Sequence, residues 1–306
     1  MNKLRCIEEL VEEFKNQRPI RGGSLIITIY GDAISPRGGT VWLGSLIKLL
    51  EPLGLNQRLV RTSIFRLTKD GWLTSTQVGR RSFYSLTDTG RRRFESAFRR
   101  IYAELYPEWD GKWDLIITTQ LDNELRKVVK KELEWLGFGN ISPSVMAHPM
   151  ADMAEVNNTL QDVCVQNDVI HMESELSGSQ TSAPLKELVH ECWNLQKLTE
   201  DYQDFLERFR PILRAIEAEE DLDPEQCFQL RTLLIHHYRR VLLRDPQLPE
   251  KLLPADWAGT SARLLCRNIY RLIQHKAEQY LSQTQETADG ALPEPAPRFY
   301  KRFGGL

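Results

Sequence analysis

Three observations predict a multidomain α+β protein: a basic, helix-length run followed by a hairpin near the front, alternating strand- and helix-like segments in the middle, and helical periodicity from Pro184 onward. The 306 residues suffice for about two to three domains, each able to bury its own core. We place the boundaries at 1–105, 106–180 and 181–306. The first is read as a winged helix-turn-helix, the second as a ferredoxin-like α/β sandwich, and the third as an all-helical domain.

Residues 3–14 read as a short amphipathic helix. Arg21-Gly22-Gly23 breaks it before the apolar run Ser24 to Tyr30, whose type periodicity leaves open and which a winged helix would use as its first core helix. Gly31, Pro36, Gly38 and Gly39 mark a loop. Thr40 can then cap a helix running Val41 to Leu50, ended by Pro52 and Gly54, and Asn56 can cap the next, which Gly71 ends. Trp72–Thr76 and Ser82–Leu86 alternate about a turn containing Gly79, Arg80 and Arg81, the pattern of a hairpin. Thr87 opens a strongly basic helix, and Pro107 with Trp109-Asp-Gly-Lys-Trp113 marks the domain boundary.

The middle reads strand (Trp113–Thr119), helix (Asp122–Leu136), strand (Pro143–Ala147), helix (Met153–Val163), strand (Asp168–Glu173). One more small strand, after the second strand or near residue 180, would complete a split βαβ sandwich, and such sheets pair edges to make dimers. Helices follow at Leu185–Ile216, Pro224–Leu243 and Thr260–Leu281, and the Pro-rich tail from Pro293 is expected to be extended.

Charge is segregated. Residues 1–102 carry 18 Lys and Arg against 9 acids, whereas residues 103–306 carry 22 against 33. Such a division suggests one module facing a polyanion and a remainder with another task. The five cysteines are scattered and form no CxxC pair, which fits a reduced, cytoplasmic setting. Acids at Glu8, Glu9, Glu12 and Glu13 argue against a signal peptide, and no apolar stretch approaches membrane-spanning length.

On a helical wheel, Val60, Ile64 and Leu67 fall on one side of the run from Asn56 to Lys69, and Arg58, Arg61, Thr62, Arg66 and Lys69 on the other. A major groove admits a helix, Arg can chelate guanine O6 and N7, and Asn or Gln can do the same for adenine. Asn56, Gln57, Arg58, Arg61 and Thr62, toward the N-terminal end, are therefore the expected base contacts. Arg66 and Lys69 are expected phosphate clamps. Phe65 lies on the charged side and is expected to pack under the preceding helix. Arg80 and Arg81 at the hairpin tip have the reach of wing residues. The competing reading is a scaffold or signalling protein that docks the basic helix on an acidic partner.

Several stretches are familiar: Tyr30-Gly-Asp32, Val41-Trp-Leu-Gly-Ser-Leu46, Val60-Arg-Thr-Ser-Ile-Phe-Arg-Leu67, Gly79-Arg-Arg-Ser-Phe-Tyr-Ser-Leu86, Trp109-Asp-Gly-Lys-Trp113, Leu234-Ile-His-His-Tyr-Arg-Arg240 and Trp257-Ala-Gly259. Over essentially its whole length the chain resembles the PaaX family, repressors of bacterial phenylacetic acid degradation operons. The resemblance implies a winged-helix repressor without a cofactor, a homodimer through its central domain, released from palindromic double-stranded operator DNA by phenylacetyl-CoA. An acyl-CoA needs an apolar slot and cations for its phosphates. Trp193, His237, Tyr238, Arg240 and Trp257 supply those chemical types in the last domain, each with helix packing as its alternative role.

The motifs give little support to catalysis. The central strand–helix order also resembles small metal-dependent nucleases of CRISPR spacer acquisition, but the first strand ends Thr118-Thr119-Gln120, where those carry a metal-binding aspartate. Asp114 and Asp122 fall elsewhere. His236 and His237 are neighbours about 100° apart on a helix and cannot share one ion. No GxSxG elbow or phosphate-gripping GxGxxG is present.

Overall fold

The computed structural model describes residues 2–102, 108–177 and 182–306. The chain divides into two compact units. One comprises Met1–Glu104, Asp204–Arg240 and Ser261–Leu306; the other comprises Leu105–Gln203 and Val241–Thr260.

The first unit opens with α1 (Arg5–Asn16) and α2 (Gly22–Ile29), the latter continuing into a π-turn at Tyr30–Ile34. The apolar run from Ser24 is thus helical, as a winged helix requires. Thr40 does not cap the following helix. Residues Thr40–Trp42 form a short strand, β1, and α3 (Leu43–Leu50) starts two residues later than expected. Pairing at a distance decides this, because Val41 sits opposite Tyr84.

Then come α4 (Gln57–Lys69), the strands β2 (Leu73–Val78) and β3 (Arg81–Leu86), and α5 (Asp88–Tyr102). The sheet order is β1-β3-β2, all antiparallel. Helix, strand, two helices and a hairpin in this order make a winged helix. Gly79 carries φ 59° in the two-residue hairpin loop, where glycine adopts the positive angle without strain.

The second unit contains β4 (Lys112–Ile117), α6 (Asn123–Trp135), β5 (Gly139–Ser142), β6 (Val145–His148), α7 (Met153–Asp162) and β7 (Ile170–Glu175). Its antiparallel sheet runs β5-β6-β4-β7, and Ile116, Val129, Leu133, Met146, Val156 and Leu160 fill the space between sheet and helices. This is the ferredoxin-like sandwich. The extra strand is β5, which precedes the predicted second strand instead of following it; the alternative position near residue 180 lies outside the described residues.

Four helices follow: α8 (Ala183–Cys192), α9 (Leu195–Glu217), α10 (Pro224–Leu242) and α11 (Ala258–Thr284). The predicted single helix from Leu185 to Ile216 is two, divided at Asn194, which takes φ 47°. The strands β8 (Glu286–Thr287) and β9 (Gly290–Ala291) then make a small hairpin.

The tail is not extended. Pro297–Gly304 coils into 3₁₀ turns that bury Phe299, Arg302 and Phe303. Two aromatic rings and an arginine with a buried counter-charge outweigh the chain stiffness suggested by the prolines.

Candidate nucleic-acid interface

Helix α4 is held by its apolar side and presents its charged one. The Asn56 side chain accepts a hydrogen bond from the Leu59 amide at 2.9 Å, capping the first turn. Gly71, at φ 72°, ends the helix, and the Trp72 amide reaches back to the Leu67 carbonyl at 2.9 Å, closing the last turn. Val60, Ile64 and Leu67 are buried, each stabilising the fold by about 1.5 to 3 kcal/mol relative to exposure. Helix α2 approaches so closely that a Cβ on Gly22 would lie 2.9 Å from Ser63 Oγ.

The opposite face carries Asn56, Gln57, Arg58, Arg61, Thr62, Arg66 and Lys69, all exposed, and α4 contains no acidic residue. Phe65 departs from expectation. It is 69% exposed and lies among the cations instead of packing under α3. Ser63 and Ile64 already take the inward positions of that turn, leaving the ring no room on the core side.

Arg80 and Arg81 sit at the hairpin turn, both exposed. Arg81 stacks over the Trp42 ring, 4.4 Å from its centroid, and pairs with Glu286 on β8 at 2.7 Å. The partner lies 205 residues away in sequence, so no local pattern could have indicated it.

The first unit also holds a buried charge network that sequence reasoning missed. Asp32, 3% exposed on the π-turn, forms an ion pair with Arg231 at 2.8 Å and accepts from Arg302 at 2.9 Å, Tyr102 at 2.6 Å and Tyr270 at 2.9 Å. Burial pushes its pKa up, but Arg231, Arg302 and the two phenols outweigh burial and hold it below the usual carboxylate value. Glu278 pairs with Arg231 at 2.5 Å and also with Arg37. The fragment Tyr30-Gly-Asp32 contained one member of this set, but its partners lie far along the chain.

The effector candidates divide between the units. His237, Tyr238 and Arg240 are near neighbours on α10 in the first; Trp193 and Trp257 belong to the second. Trp193 is buried, stacks at 6.0 Å against Trp113 and donates to the Gly137 carbonyl at 2.7 Å. Trp257 is buried against Tyr202, whose hydroxyl donates to Asp245 at 2.5 Å. Tyr238 packs on Phe205, and Arg240 is exposed. Burial first, then Arg208 and Arg240, push the His237 pKa down to about 3.

The two central aspartates serve the fold. Asp122 caps α6 through the Glu124 and Leu125 amides, and Asp114 contacts His171 at 2.8 Å. Among the described residues no group of three or more His, Cys, Asp or Glu is placed to hold a metal ion. Among them, too, no helix is long and apolar enough to cross a membrane.

An acid-free cationic helix exposed beside a hairpin wing is the geometry of a protein that reads duplex DNA. Comparison with known proteins gives the family. Three models match: PaaX-like protein at residues 21–90, the PaaX protein central Cas2-like domain at 106–186, and the PaaX-like protein C-terminal domain at 193–283. The chain is 45% identical over 301 residues to the "Transcriptional repressor PaaX" of Escherichia coli (strain K12), covering 98% of this chain and 95% of that one. It belongs to the PaaX family. A solved structure, of an uncharacterized protein from Mycobacterium tuberculosis, is similar with a TM-score of 0.47 and 24% identity, over 77% of this chain and 90% of that one.

Proposed function

We propose that this protein is a cytoplasmic, DNA-binding transcriptional repressor of phenylacetate catabolism genes, released from its operator by phenylacetyl-CoA. The observation that carries the reading is the exposed, acid-free face of α4, set between a hydrophobic underside and a wing with two arginines. The near full-length similarity to a transcriptional repressor supports it. A homodimer lays two α4 helices in successive major grooves of a palindromic operator, Asn56, Gln57, Arg58, Arg61 and Thr62 toward bases and Arg66 and Lys69 toward phosphates. Arg80 and Arg81 follow the backbone beside them.

The central sheet suits self-association, because its edge strand β7 leaves Ile170 and Met172 each 49% exposed. Phenylacetyl-CoA acts by preferring a conformer in which the two readers no longer match the half-sites. A hundredfold loss of operator affinity requires about 2.7 kcal/mol of such preference. Footprinting on the DNA upstream of the protein's own gene, with and without phenylacetyl-CoA and with free phenylacetate as control, tests the reading. A protected palindrome that vanishes with the thioester is expected. Absence of any protection at modest salt would leave the docking of an acidic protein partner as the better account of α4.

A further inference from the structure

One residue on the exposed face of α4 differs in kind from its neighbours. Phe65, 69% exposed, is the most exposed large apolar side chain among the described residues. At about 100° per residue, it points within about 30° of the direction opposite Val60, Ser63, Ile64 and Leu67, the residues that α4 buries. Arg61 and Lys69, four residues to either side, and Thr62, three before it, are its neighbours on the helix surface. The ring therefore stands at the centre of the exposed face, not at its margin.

Its surroundings leave it bare. Arg81 and Arg93 each lie over an indole, those of Trp42 and Trp72, but among the described residues no guanidinium and no second ring covers Phe65. The Thr62 hydroxyl donates to the Arg58 carbonyl at 2.9 Å, which engages its proton within the helix and leaves its methyl as the other apolar group of this face. Phosphates are held by cations and gain nothing from a phenyl ring. On the floor of a major groove the bases present polar atoms at every pair and one apolar group, the C5 methyl of thymine. Cytosine carries only hydrogen at that carbon.

We infer that Phe65 reads thymine: in each half-site its ring packs on the C5 methyl of one thymine, with the Thr62 methyl as the second apolar partner. This assignment rests on the operator binding proposed above and adds to it a base identity that charge alone cannot select. Arg58, Arg61 and Lys69 hold the helix in the groove by charge, and the methyl contact separates T·A from C·G. Phe65 follows Arg61 by four residues, a rise of about 6 Å, so the thymine lies within about two base pairs of the base that Arg61 contacts.

Replacing thymine by deoxyuridine, which pairs identically and lacks only the methyl group, tests the contact. Duplexes of the upstream region are synthesised with one symmetric pair of thymines replaced at a time, and each is titrated with full-length wild type, Phe65→Ala and Phe65→Leu, both variants melting near wild type. At one pair, wild type should lose roughly 15-fold in affinity, the contribution of one methyl group in each half-site. Phe65→Ala should bind more weakly than wild type and bind the thymine and deoxyuridine duplexes alike at that pair, while Phe65→Leu keeps part of the discrimination. Wild type indifferent to every replacement overturns the assignment, and so does a sensitivity that survives in Phe65→Ala. Operator affinity unchanged in Phe65→Ala also overturns it and moves the ring to a contact with a protein partner. A wild type that binds no upstream fragment sinks the repressor reading itself; binding without discrimination sinks only the thymine contact.

Discussion

Arg81 at the root of the wing turn is bound to Glu286, 2.7 Å away on the small hairpin that follows α11. Both side chains are about half exposed, so the pair is worth no more than ~1 kcal/mol and yields readily to a phosphate. Glu286→Gln should therefore strengthen operator binding and steepen its salt dependence by about one unit in the log–log slope. Arg81→Ala should flatten that slope by a similar amount. Anisotropy titrations between low and moderate salt check both; identical slopes for the three proteins would take the wing off the DNA.

Arg61 projects from the exposed face of α4 one turn beyond the Asn56 cap. A base contact there carries sequence information, whereas a phosphate contact does not. Arg61→Ala should cost about 1 to 3 kcal/mol on operator and much less on random duplex of equal length. Equal losses on both would reassign Arg61 to the backbone.

Phe65 presents its ring to solvent amid cations, an arrangement that contributes almost nothing to the core. Phe65→Ala should change stability by less than about 0.5 kcal/mol, as exposed substitutions usually do. Operator affinity is expected to fall nonetheless, because an exposed ring on this face has bases and sugars as its available apolar partners. A melting temperature lowered by several degrees with unchanged affinity would restore Phe65 to a packing role.

What could be read from residues alone was what neighbours decide. The Asn56 cap, the Gly71 stop and the alternation of α4 are local signals, and each appears in the structure where the chain pattern put it. The misplaced features depend on distant partners. Thr40–Trp42 is a strand only because β3 lies beside it, and the tail folds down only because Arg302 meets Asp32, 270 residues away.

His236 is buried and His237 half-buried on α10, and desolvation, first among causes for both, pushes each pKa from 6.5 down to about 3. Neutral imidazole is thus favoured in the fold while the unfolded chain protonates near pH 6.5. Their stabilisation is present above pH 6.5 and is lost as pH falls from there toward 3. For His236, only 4% exposed, the loss between pH 7 and pH 5 is about 2 kcal/mol. Urea midpoints should fall over that range in wild type and fall less in His236→Gln; parallel pH profiles would remove His236 from the acid sensitivity.

Asp32 is the counter-charge for two fully buried arginines, and an asparagine of the same size cannot replace it. In Asp32→Asn the Arg231 and Arg302 cations would remain buried, with only Glu278 available to Arg231 and no carboxylate left to Arg302 among the described residues. Breaking one side of a buried pair costs about 3 to 5 kcal/mol, much of it the stranded charge. Removing a stranded cation should recover part of that loss, so Asp32→Asn with Arg302→Met should be more stable than the two single effects added together predict. Denaturant unfolding of the wild type, both single variants and the double variant gives the coupling. Strict additivity would mean that Asp32 and Arg302 stabilise the fold independently, despite the 2.9 Å between them.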